Sequence, residues 1–72
     1  MRVYFERRKL EKLRREKGLS QKQIASFAGR SHTTWQNWVH HRSTPTFNEL
    51  LAICNGCGVD IEYFLEEIGN GK

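Results

Sequence analysis

Proline occurs once in this 72-residue chain and cysteine twice. No stretch alternates Val, Ile or Thr with polar residues, and hairpin dipeptides are few, so the sequence argues against a sheet. No apolar run approaches the ~18 residues of a membrane span. The basic opening, MRVYFERRK, lacks the apolar segment of a secretory signal, so the expected compartment is the cytosol. Histidines, serines and acids show no nucleophile–base–acid spacing, no glycine-rich loop is available to cradle a phosphate, and so small a chain leaves little room for a pocket. Neither an enzyme nor a cofactor is expected. Basic residues are scarce at one end. Residues 46–72 hold one Lys against five acids, a net −4, whereas residues 1–45 hold eleven Lys or Arg against three Glu, a net +8. Solubility alone would not require such segregation; it is the footprint of a chain with one side facing a polyanion. A membrane surface fits less well, because the basic N-terminal stretch lacks a broad Trp, Phe or Leu face.

What the chain does contain is a series of short helical patterns, and its length allows one small domain, taken as residues 1–69 with a frayed tail at 70–72. The most informative stretch is Leu19–His41, LSQKQIASFAGRSHTTWQNWVHH. Ser20 and Gln23 make a capping box, with Leu19 and Ile24 placed as a hydrophobic staple. Ile24, Ala25, Phe27 and Ala28 supply a buried side, and Gly29 permits a sharp exit. Ser31 caps a following helix from His32 to about His40. At roughly 100° per residue, Trp35, Trp38 and Val39 fall on one stripe of that helix. Thr33, Gln36, Asn37 and His40 fall on the other, with His32 at its tip. These are short hydrogen-bonding side chains of poor helix propensity, where a solvated face would favour Lys, Glu and Arg. Such a face suits base edges in a DNA major groove, which Asn and Gln can pair bidentately and a Thr methyl can touch. A polar face without a partner is the plainer alternative.

The remaining chain frames this stretch. Phe5–Lys17 is predicted as the first helix, with Leu10 and Leu13 inward, Phe5 or Tyr4 covering the end of the bundle, and Gly18 as its stop. Its many bases are expected to be solvated, with Glu11 able to pair with Arg15. Thr46 and Glu49 make a second capping box for a helix carrying Phe47, Leu50, Leu51 and Cys54 inward. Asp60 is predicted to cap a fifth helix whose Ile61, Phe64, Leu65 and Ile68 exceed what a small bundle can bury. Tyr63 and Ile68 are therefore the candidate contacts of a dimer. Cys54-x-x-Cys57 has metal or redox spacing, yet it ends a helix and lacks a second ligand pair, so packing as small apolar residues is the favoured role.

The ordered set Leu19-Ser20-Gln21, Ile24-Ala25, Gly29, Ser31, Thr34, Trp35, Trp38 and Pro45 resembles the helix-turn-helix of the lambda-repressor/Cro (XRE-type) family. Leu50-Leu51-Ala52-Ile53, Gly58-Val59, Asp60-Ile61 and Phe64-Leu65 continue the pattern. Leu10, Leu13, Arg14, Lys17 and Gly18 fit its first helix, so the resemblance covers about Leu10 to Leu65. It implies an all-α, compact five-helix bundle whose third helix enters the major groove. Ile24, Trp35 and Trp38 then support that helix, and His32, Thr33, Gln36 and Asn37 read bases. Gln21 matches a phosphate-touching glutamine, with Lys22 close by; Arg42, Ser43 and Thr44 are further phosphate candidates. Arg14 matches a position that supports the fold or approaches phosphate. Three residues depart from the pattern: Arg30 where an apolar residue is usual, here assigned to phosphate; Val39 where an acid is commoner; and His41 where glycine is usual. The implied function is a small phage- or plasmid-type repressor that binds operator DNA as a homodimer. An antitoxin-like autoregulator and a protein-interaction module of the same fold are the alternatives, the latter separable by salt dependence.

Overall fold

The computed structural model describes residues 2–68, with side chains from Tyr4 to Glu66. Gly69 and the expected tail at 70–72 lie outside the described residues. The elements run β1 (Arg2–Phe5), α1 (Lys9–Glu16), α2 (Gln21–Phe27), α3 (His32–Val39) and α4 (Phe47–Cys57), then a 3₁₀ turn (Ile61–Phe64) and β2 (Leu65–Ile68).

Both predicted capping boxes form. The Ser20 hydroxyl accepts from the Gln23 amide at 3.0 Å while the Gln23 side chain accepts from the Ser20 amide at 2.7 Å. Thr46 and Glu49 repeat the exchange at 3.1 and 2.8 Å. Ser31 caps α3 through the Thr34 amide. Gly29, at φ +70°, makes the turn between α2 and α3, and Gly58 closes α4 at φ +74°. Each such turn demands a left-handed residue, which glycine enters without a Cβ clash.

The ends of the chain depart from the expected five-helix bundle. Among the described residues there are four α-helices and a two-stranded antiparallel sheet, with Phe5 opposite Leu65 and Arg2 opposite Ile68. The first helix starts at Lys9, not Phe5, because RVYF is β-branched and aromatic and finds a partner strand. The fifth helix gives way after one 3₁₀ turn. So short a helix is marginal alone, and the ladder with β1 satisfies its backbone instead. Phe64 is nevertheless fully buried, edge-on to Phe5 at 5.9 Å. Tyr63 also turns inward: its ring meets Phe64, and its hydroxyl donates to Glu16 at 2.9 Å. Burial and that bond push the phenol up to about 12. Tyr63 is thus half-buried and engaged within the chain; Ile68 contributes backbone to β2, its side chain being outside the described part.

The core joins Leu10 and Leu13 of α1, Ile24 and Ala25 of α2, Trp35 and Trp38 of α3 and Leu50, Ile53, Cys54 and Cys57 of α4. The two cysteines are free, and burial pushes the Cys54 thiol up to about 11 and raises that of Cys57. Two residues expected inside lie outside. Phe47, in the first turn of α4, is 60% exposed, and Phe27 is 37% exposed at the end of α2. Phe27 instead lays its ring over Gly56, where a Cβ would stand only 2.6 and 2.7 Å from its Cδ atoms. This contact explains a glycine inside α4. Gly56→Ala is expected to destabilise the fold by about 1–3 kcal/mol through overpacking. In a Phe27→Ala background the same change should become neutral or gain up to about 1 kcal/mol of helix propensity. Denaturation of the four variants measures the coupling, and equal losses in both backgrounds would remove the ring from the explanation.

Candidate nucleic-acid interface

Helix α3 divides as its sequence does. Trp35 and Trp38 are buried, their rings edge-on at 6.1 Å, beside fully buried Ile24. His32, Thr33 and His40 are exposed, and Gln36 and Asn37 are half-buried on the same outward side. Gln36 is oriented by α2: its Nε2 donates to Gln21 Oε1 at 3.1 Å, so the residue assigned to phosphate and a residue assigned to bases form one unit. Lys22, next to Gln21, is exposed.

Behind α3 lies a polar network that the sequence did not reveal. The Trp35 indole N–H donates to Glu11 Oε2 at 2.6 Å. Arg14 grips the same carboxylate, with its Nη2 2.7 Å from Oε1, and a further N–H reaches the Leu19 carbonyl at 2.9 Å. Arg14 is therefore a support of the fold. Arg15, the expected partner of Glu11, is more distant at 3.8 Å. Burial acts to raise the Glu11 carboxyl, but hydrogen bonds from Arg14 and Trp35 outweigh it and hold the group below its ordinary range. Arg30 is also committed: its Nε lies 2.5 Å from Glu49 Oε2. The Thr46 amide and Arg30 hold that carboxyl below its usual range. Any phosphate contact by Arg30 would be shared with this carboxylate, since its side chain is still half exposed.

The C-terminal end of α3 is closed by backbone and by one distant arginine. His41 takes φ +65°, the left-handed value that the resemblance assigns to glycine. The Arg42 amide returns to the Asn37 carbonyl at 2.9 Å, as in a Schellman closure, and the Ser43 amide joins it at 3.3 Å. Arg7 supplies the rest. Its Nη1 donates to the Trp38 and Ser43 carbonyls, the latter at 2.9 Å, and its Nη2 reaches the Thr44 hydroxyl at 3.1 Å. Thr44 is thus partly engaged within the chain, while Arg42, Ser43 and Thr44 all remain exposed. Sequence reading left Arg7 among solvated bases. Only the strand pairing that turns the chain at Phe5 brings it to α3.

A turn-linked pair of helices, the second anchored by indoles and showing a polar outer face, defines a helix-turn-helix protein. The chain belongs to the helix-turn-helix domain family, which matches residues 7–63. That membership agrees with the Cro-type resemblance and points to a DNA-binding regulator. No curated protein and no solved structure matches the chain. Among the described residues, no helix is long and apolar enough to cross a membrane.

Two outcomes are expected here. Arg7→Ala should cost about 1.5–3 kcal/mol, since it removes charged donors from three acceptors. It should also speed amide exchange at Arg42 and Ser43, while Arg7→Lys, lacking the planar fork, restores only part. Unchanged exchange would show that the loop holds itself. For Glu11 the sign follows from its depressed pKa. Its stabilisation is complete above the ordinary carboxylate value of 4.5 and is lost as pH falls through the lower folded value. Glu11→Gln should therefore be less stable than the parent near neutrality, and the gap should narrow on acidification below about 4.5; a constant gap across that window would contradict the assignment.

Proposed function

We propose that this chain is a sequence-specific double-stranded DNA-binding regulator, a small repressor of the phage or plasmid type, with residues 1–69 acting as one domain. The observation that carries this reading is the outward row of uncharged donors and acceptors on a helix whose opposite side is fixed by Trp35 and Trp38. His32, Thr33, Gln36 and Asn37 read base edges, Gln36 being aimed by Gln21. Gln21, Lys22, Arg42, Ser43 and Thr44 hold phosphates and set register without reading sequence. Arg30 adds a phosphate contact only where Glu49 shares it. A homodimer on paired half-sites, set one or more helical turns apart, excludes polymerase by occupancy.

Selection of DNA from a random pool by the purified protein tests the reading, and a single enriched motif with two related halves is the expected result. On that site Asn37→Ala should lose about 1–3 kcal/mol of discrimination against changed bases. Arg42→Ala should weaken specific and random DNA alike. An unenriched pool, together with affinity that does not fall with salt, would favour a protein-interaction module.

A further inference from the structure

Beside the end of α3 lies an open groove of about 630 Å³ whose lining includes Phe5, Val39, His41, Arg8 and Arg15. Val39 lies on the tryptophan side of α3 and His41 in its closing turn, so the groove runs from that turn, next in sequence to Arg42 and Ser43, toward α1. Its charges are sorted by depth. The Glu6 side chain is 13% exposed beneath an Arg8 that is 89% exposed, and Glu11 is 17% exposed beneath an Arg15 that is 74% exposed. Glu6 holds Arg8 through Nε at 3.0 Å and Nη2 at 3.4 Å, which leaves Nη1 of that guanidinium for a partner. Glu11 directs its charge to Arg14 and Trp35, leaving Arg15 at 3.8 Å with little compensation. What a partner meets is two guanidinium groups standing over tucked-in carboxylates. Planar forks of this kind match phosphate geometry.

We propose that this groove carries the DNA sugar-phosphate backbone onward from the closing turn of α3, with Arg8 and Arg15 as two phosphate contacts. The proposal rests on the DNA-binding reading and extends the footprint to the outer surface of α1. Neutralising both contacts with Arg8→Gln and Arg15→Gln should lower the slope of log affinity against log salt by about 1.8. Between 50 and 200 mM salt the parent should then lose about 12-fold more affinity than the double variant. The ratio of specific to random binding should stay unchanged, because backbone contacts carry no sequence information. Arg15→Gln alone, which gives up only a long ion pair and so keeps the fold, should remove about half of the slope change. A hydroxyl-radical footprint should lose protection at its edge in the double variant. A parental slope and footprint in the double variant would overturn the proposal while leaving the DNA-binding reading intact, and would hand the groove to an acidic protein segment. Absence of salt-dependent DNA binding by the parent would instead remove both.

Discussion

The carboxylate of Glu11 is the constraint on which the presentation of α3 depends. A helix of eight residues with a polar face of weak helix formers has little stability of its own. Burying two indoles supplies the apolar contact, but a buried indole N–H must find an acceptor. Glu11 provides it, and a half-buried carboxylate then needs compensation of its own. Arg14 supplies that charge and sends a further N–H to the Leu19 carbonyl, where the chain enters α2. One chain of donors and acceptors therefore ties the first helix to the rear of the third and to the entry of the second. The outward row of α3 is left with no structural duty except the bond between Gln36 and Gln21.

The other end of α3 is held by a different device. His41 occupies a left-handed conformation that costs a non-glycine residue energy, so the surrounding bonds must over-determine it. The Asn37 carbonyl, taken by two amides, and the Trp38 carbonyl, taken by Arg7, do this. Arg7 can reach because β1 pairs with β2 and the Glu6 amide donates to the Phe64 carbonyl at 2.7 Å, which turns the chain toward the loop. The small sheet thus does more than tie up the termini. It delivers the guanidinium that closes the C-terminal end of α3.

The legible parts of this fold are those written within four residues. Both capping boxes, the Ser31 cap, the glycine turns and the inward spacing of Trp35 and Trp38 are local, and each was readable because its partners are neighbours in sequence. What escaped reading links distant positions: Glu11 with Trp35, Arg7 with Ser43 and Thr44, Phe27 with Gly56, and the pairing of Phe5 with Leu65. The fifth helix failed for the same reason. Residues 61–68 have a helical apolar spacing, but a strand at the far end of the chain offered a better use for their backbone, and tertiary pairing overrode the local pattern. The row on α3 was legible as a polar face. Its coupling to Gln21 was not, since the bond crosses the turn between two helices.

The departures from the family pattern become consistent with one another once the network is traced. An acid is commoner at position 39, yet Val39 leaves no charge unbalanced here. The carboxylate that Arg14 needs comes from Glu11, one turn earlier on its own helix. Val39 instead lines a groove shared with Arg7, Arg8 and Arg15. Arg30, where an apolar residue is usual, is absorbed in the same way, because the capping carboxylate of α4 reaches it and covers its charge. Glu6 and Glu11 of the basic half and the capping Glu49 of the acidic half are each drawn beneath an arginine, so the formal balance of +8 against −4 understates how positive the exposed side of residues 1–45 is. A polyanion approaching this side meets cations first, and the carboxylates beneath act to aim the guanidinium groups more than to repel the partner.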